Sequence, residues 1–191
     1  MSEKPQKHLS FSLLWNNLRD NEKSEAIECL VDSGIKEIKA IFMTKLAKAY
    51  KFRSAFVKSW PSSKVAQFAL KPMFKGKSKI DYFLDDFLYH WLVYEKKNVL
   101  EAFLDAQSIP HKAGNINDDY NDSPTVKSFV KGINAIEEKF EARVVGIYLG
   151  FLLTFYDSEE FWGNFPDAIE SSGFDFTKAL NWPQEIDDSK K

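Results

Sequence analysis

A chain of 191 residues with one cysteine, 44% hydrophobic and 15% aromatic, can bury a sizeable core without staples, which excludes a disulfide-built framework. The formal net charge of −2 conceals a split: residues 1–79 carry 16 Lys+Arg against 7 Asp+Glu, and residues 80–191 carry 10 against 21. From Lys36 to Lys79, 12 basic residues meet a single acid, Glu37, and a field of that kind concerns partners rather than fold.

The start of the chain, residues 1–7, is polar where a secretory signal has an apolar stretch, so the expected location is cytoplasmic. Apolar spacing is helical almost throughout and period-two alternation is scarce. The expected fold class is all-α, a single compact orthogonal helical bundle or short helical array of about seven to nine helices. Residues 1–9 are expected as a flexible N-terminal segment, 10–180 as one domain with basic and acidic sub-halves dividing near 74–79, and 181–191 as a frayed tail.

Asn21 is placed to cap a first helix over residues 22–32, closed by Gly34. Cys29, beside Ile27, Leu30 and Val31, reads as a small buried hydrophobe. A second helix is expected from Ile35 to about Trp60, with Ile35, Ile38, Phe42, Leu46 and Ala49 on one arc and Lys36, Lys48, Lys51 and Lys58 opposite. Pro61 stops it, and a short helix over residues 64–73 leads to a basic loop at 75–77. Ser78 with Asp81 resembles a capping box that opens the strongest amphipathic segment, whose apolar face is Phe83, Leu84, Phe87, Leu88, Trp91 and Tyr94. A break over residues 95–98 separates it from a helix over 99–107.

Residues 110–123 read as a long loop without structure of its own. Ser123 caps the next helix, with Pro124 in its first turn, running to about Lys139. The most apolar helix follows over residues 141–156, too short to cross a bilayer, which needs ~20 apolar residues, so no membrane span is expected. Its Gly146 and Gly150 allow close approach of neighbours. Helical pieces are expected from Ser158, over 166–172, and over 176–180 with Asp175 as cap. Residues 26–33 and 99–106 resemble each other, a weak sign of a duplicated helical hairpin.

Chemistry-bearing patterns are sparse. Asp86 and His90, one turn apart beside Asp81 and Asp85, are the metal-ligand or general-base candidates, and His8 and His111 are remote from them. Asn115, Asn117 and Asp119 suggest a calcium loop, but Tyr120 and Val126 stand where its Gly and Glu belong. Phosphate loops, nucleophile elbows and Cys-x-x-Cys pairs do not occur, and no cofactor is expected. In the basic region the lysines are interleaved with Phe52, Phe56, Trp60, Phe68 and Phe74, as in surfaces that bind single-stranded nucleic acid, although a helix core would claim those rings and Arg53 is the lone arginine.

The leading reading is a non-catalytic helical interaction or scaffold protein, with another protein or a second copy as partner and Lys48, Lys51, Arg53 and Lys58 as candidate contacts. The acidic half or another protomer ranks ahead of a polyanion as the basic face's counterpart. The alternatives are a nucleic-acid-associated protein using the face from Lys36 to Lys79, and a metal-dependent hydrolase around Asp86 and His90.

Overall fold

The computed structural model describes residues 9–75, 80–117, 119, 120, 122–155 and 160–180. The Ser78 cap, the tip of the basic loop, the start at Ser158, residues 1–8 and the tail from 181 lie outside them. The fold is all-α, with eight helices of seven residues or more among the described residues.

The N-terminal group comprises α1 (Phe11–Asn16), α2 (Asp20–Ser33), α3 (Lys36–Ala49), α4 (Ser54–Lys58), α5 (Ser62–Ala69), α6 (Pro72–Lys75) and α7 (Leu84–His90). Helix α1, not foreseen above, is opened by Ser10, whose hydroxyl accepts from the Leu13 N–H at 3.2 Å. Helix α2 starts before Asn21, at Asp20; the Arg19 backbone N–H donates to the Glu22 carboxylate at 2.7 Å, so Glu22 supplies the capping bond expected of Asn21. Pro72 begins α6 instead of lying inside a helix over 64–73, in keeping with its missing N–H.

After α7 the chain makes a π turn over Trp91–Glu95, with Lys96 N–H donating to Trp91 O at 3.0 Å. The wider turn changes which residues share a face. Trp91 and Leu92 are buried, whereas Tyr94, expected on the apolar face, is 49% exposed and stacks on His90 at 5.9 Å. The expected break then follows, and α8 runs over Lys97–Gln107.

The segment read as a structureless loop contains a hairpin, β1 (His111–Lys112) against β2 (Asn115–Ile116), in antiparallel register His111 to Ile116. Its two-residue turn, Ala113 and Gly114, has positive φ at both positions, the geometry that suits a tight hairpin. Three helices follow, α9 (Val126–Lys139), α10 (Ala142–Phe155) and α11 (Phe165–Ser172), then a last turn α12 (Phe176–Ala179). The cap of α9 is Thr125, accepting from Ser128 N–H at 3.2 Å; Ser123 and Pro124 precede the helix. Asp175 caps α12 as expected.

Helix α2 packs on α5, α7 and the π turn, while α8, α9 and α11 form a second layer. Between them lies α10, touching α1, α7, α9 and α12, with every residue from Val144 to Leu152 buried. Its two glycines serve different neighbours: a Cβ on Gly146 would meet the Ala179 methyl at 3.0 Å, and one on Gly150 would meet Leu14 at 2.8 Å. The similar segments of α2 and α8 do not sit in similar hairpins, because α8 pairs with the next helix, α9, whereas α2 pairs chiefly with α5.

Candidate functional site

The helix expected from Ile35 to Trp60 is interrupted. After α3 the Lys51 N–H donates to Lys48 O at 3.3 Å and the Phe52 N–H to Ala47 O at 2.9 Å, the pair of bonds that closes a helix in a Schellman turn. That turn needs a left-handed residue, usually glycine, and here it is Lys51 at φ 57°. No proline or glycine marks the break, so the sequence pattern ran through it.

The reversal folds Phe52 back onto Tyr50 at 6.0 Å and starts α4, whose Phe56 meets Phe52 edge to face at 5.9 Å. Trp60 and Phe68 complete the cluster at 4.7 Å from each other, and the Tyr50 hydroxyl donates to Phe68 O at 2.7 Å, tying α3 to α5. Burial pushes the Tyr50 hydroxyl's pKa up. Phe52 is 38% exposed and Phe56 52%, while Trp60 is only 8% exposed and Phe74 is buried. The core therefore claims some of these rings and leaves two to solvent. Ile35, expected on the inner arc, is also outside, at 59%.

Cations lie over several rings of the cluster. Lys64 Nζ lies 4.5 Å from the Trp60 ring centre and 5.7 Å from that of Phe56, and Lys71 Nζ lies 3.9 Å from that of Phe68. Lys48, Lys51, Arg53 and Lys58 are all exposed, with Lys51 and Arg53 on either side of Phe52. Among the described residues none of the cations from Lys36 to Lys71 forms an ion pair, with the acidic half or otherwise. The Trp60 indole N–H is buried without an acceptor among the described residues, which costs about 1–3 kcal/mol. The aromatic partners of Lys64 and Lys71, and the exposure of Phe52 and Phe56, were not legible from charge spacing.

The two halves of the chain do meet, elsewhere. Arg143 donates bidentately to Glu22 at 2.7 and 2.8 Å and to Asn17 O at 3.0 Å, pinning α10 to α2. Burial works to raise the Glu22 carboxyl, but the bonds from Arg143 and the Arg19 N–H, with both positive charges, hold it below its ordinary value.

Asp86 and His90 are brought together, but by the main chain: the His90 Nδ1–H donates to Asp86 O at 2.7 Å. His90 is buried between Tyr89 and Tyr94. Burial and the neighbouring Asp85 charge raise the Asp86 carboxyl, partly offset by His90. No group of three or more His, Cys, Asp or Glu side chains able to hold a metal occurs among the described residues. His111 is occupied in its own hairpin, with Nε2 donating to Asp105 at 3.1 Å and Nδ1 accepting from Gly114 N–H at 3.1 Å. Burial, reinforced by the Glu95 carboxylate that the Cys29 thiol faces at 3.7 Å, pushes that thiol up to about 12, which suits a buried structural side chain and not a nucleophile.

No helix of the described residues is long and apolar enough to cross a membrane. Comparison with models of protein families, with curated proteins and with solved structures finds no match to this chain.

Proposed function

We propose that this is a non-catalytic binding protein whose working surface is the basic face of α3 to α5, and that its partner is polyanionic. The observation that carries the reading is the set of cations from Lys36 to Lys71 with no carboxylate partner among the described residues. Had the acidic half been their counterpart, pairs like Arg143 to Glu22 would be expected there. Their absence among the described residues supports an external anion over internal neutralisation, the reverse of the order that charge counting favoured. Self-association through the same face would instead need an acidic patch on a second copy.

Retention on heparin as a function of salt tests this. Replacing Lys48, Lys51, Arg53 and Lys58 together by glutamine should lower the eluting salt concentration markedly and leave the helical circular dichroism intact, because phosphate- or sulfate-bound cations release counterions and give steep salt dependence. Unchanged elution would overturn the proposal.

A further inference from the structure

Resting on that polyanion reading, we infer that the face is a single-stranded nucleic-acid site in which Phe52 and Phe56 stack on unpaired bases while Lys48, Lys51, Arg53 and Lys58 hold the backbone phosphates. Four observations converge on it.

Phe52 and Phe56 form an edge-to-face pair of exposed rings, centroids 5.9 Å apart and planes at 75°. They are braced from below by Trp60, 5.5 Å from each. Exposed phenyl rings gain nothing from an anion as such; they gain from a flat apolar surface laid on them, and a base offers one whatever its identity. The cations neighbour the rings along the chain: Lys51 and Arg53 flank Phe52, Lys58 follows Phe56 by two residues, and all are exposed. An acidic peptide would satisfy those cations and leave the rings bare. A duplex would hide its base faces inside the stack.

The two remaining observations concern residues whose local cost has no return within the fold. Lys51 occupies a left-handed position that glycine would fill with less strain, yet its amine is exposed and forms no ion pair among the described residues. Trp60, on which the platform rests, keeps a buried indole N–H without an acceptor among the described residues, a cost borne where its ring supports Phe52 and Phe56. Sequence preference should be slight, because stacking is indifferent to base identity and Arg53, the lone arginine of the face, affords little bidentate reading of guanine.

The test is fluorescence anisotropy with a labelled oligothymidylate of about 20 nucleotides, a duplex of equal length and poly-glutamate as competitor, across a salt series. The wild-type protein should favour the single strand over the duplex by about tenfold or more. Phe52→Ser with Phe56→Ser should weaken the single-strand complex about fivefold or more per lost stacking contact and leave duplex affinity and the salt slope unchanged. Should that variant fail to fold, Phe52→Leu with Phe56→Leu keeps apolar bulk, removes the π faces and should show the same loss. Equal affinity for duplex and single strand, or indifference to both ring variants, sinks the inference and leaves the polyanion reading standing. Binding to poly-glutamate with none to the oligonucleotide has the same consequence. No binding to any of the three, and none to heparin, overturns both.

Discussion

Two aromatic clusters in this molecule have nearly the same composition and opposite surroundings. Phe103, Phe129, Trp162 and Phe165 pack across α8, α9, the 3₁₀ turn at Glu160–Trp162 and the start of α11 with centroids 5.2–6.5 Å apart, all buried. Tyr50, Phe52, Phe56, Trp60 and Phe68 interlock at 4.7–6.1 Å, but two of their rings reach solvent among lysines. Ring count therefore does not distinguish core from surface; the backbone does. In the first cluster α8, α9 and the turn leading into α11 present rings to one another, and in the second a reversal at Lys51 folds Phe52 and Phe56 back over the end of α3.

The largest expected contrast is in stability. Phe129→Ala should cost about 3–5 kcal/mol in chemical denaturation, as a fully buried ring does, and Phe56→Ala less than about 1 kcal/mol. Comparable losses would mean that the outer cluster is a second core and would remove the reason for reading it as a site.

Next is the clasp that joins the two regions. Arg143→Met strands a buried Glu22 and should destabilise by about 3 kcal/mol at neutral pH. Glu22 is held below its ordinary value, so its contribution is present above the unfolded carboxylate pKa of about 4.3 and is lost as pH falls through the lower folded value. In the variant that acid-linked loss should disappear or invert, which denaturation at a series of pH values would reveal.

A smaller effect separates folding from binding at one residue. Lys51→Gly should raise stability by about 0.5–1 kcal/mol by relieving the left-handed backbone, while weakening retention on heparin. A variant that is less stable would show that the lysine stem is packed and not merely tolerated.

The smallest concerns Asp86, whose carboxyl is raised chiefly by burial. A raised acid penalises the fold once it ionises, so Asp86→Asn should lift the melting temperature near pH 7, with the gain vanishing below about pH 4, where the carboxyl is neutral folded or unfolded. Loss of stability at neutral pH would instead point to a required charge beside His90.

The helical class was legible because it rests on apolar spacing, which the core of α7 and α8 obeys, and on caps such as Asp175 and the break before Lys97. Boundaries failed where backbone geometry departs from what residue type signals. Lys51 sits where glycine would announce a stop, and Ala113 fills a hairpin position where asparagine would announce a turn. The π turn rotates Tyr94 outward without any sequence mark at all. For the site, charge alone pointed to Lys48, Lys51, Arg53 and Lys58; the two open rings depended on the unseen reversal, and the missing ion pairs on tertiary placement.

The Arg143 clasp also sets a clock. Glu22 and Arg143 are 121 residues apart, and α1 rests against Gly150 of the same late helix. At a synthesis rate of about 5–20 residues per second, α1 and α2 wait on the order of ten seconds for the surface that completes them. During that interval the lysine-rich helices emerge ahead of the acidic half, so the residues through Lys79 hold 16 basic against 7 acidic side chains before the later carboxylates offset them.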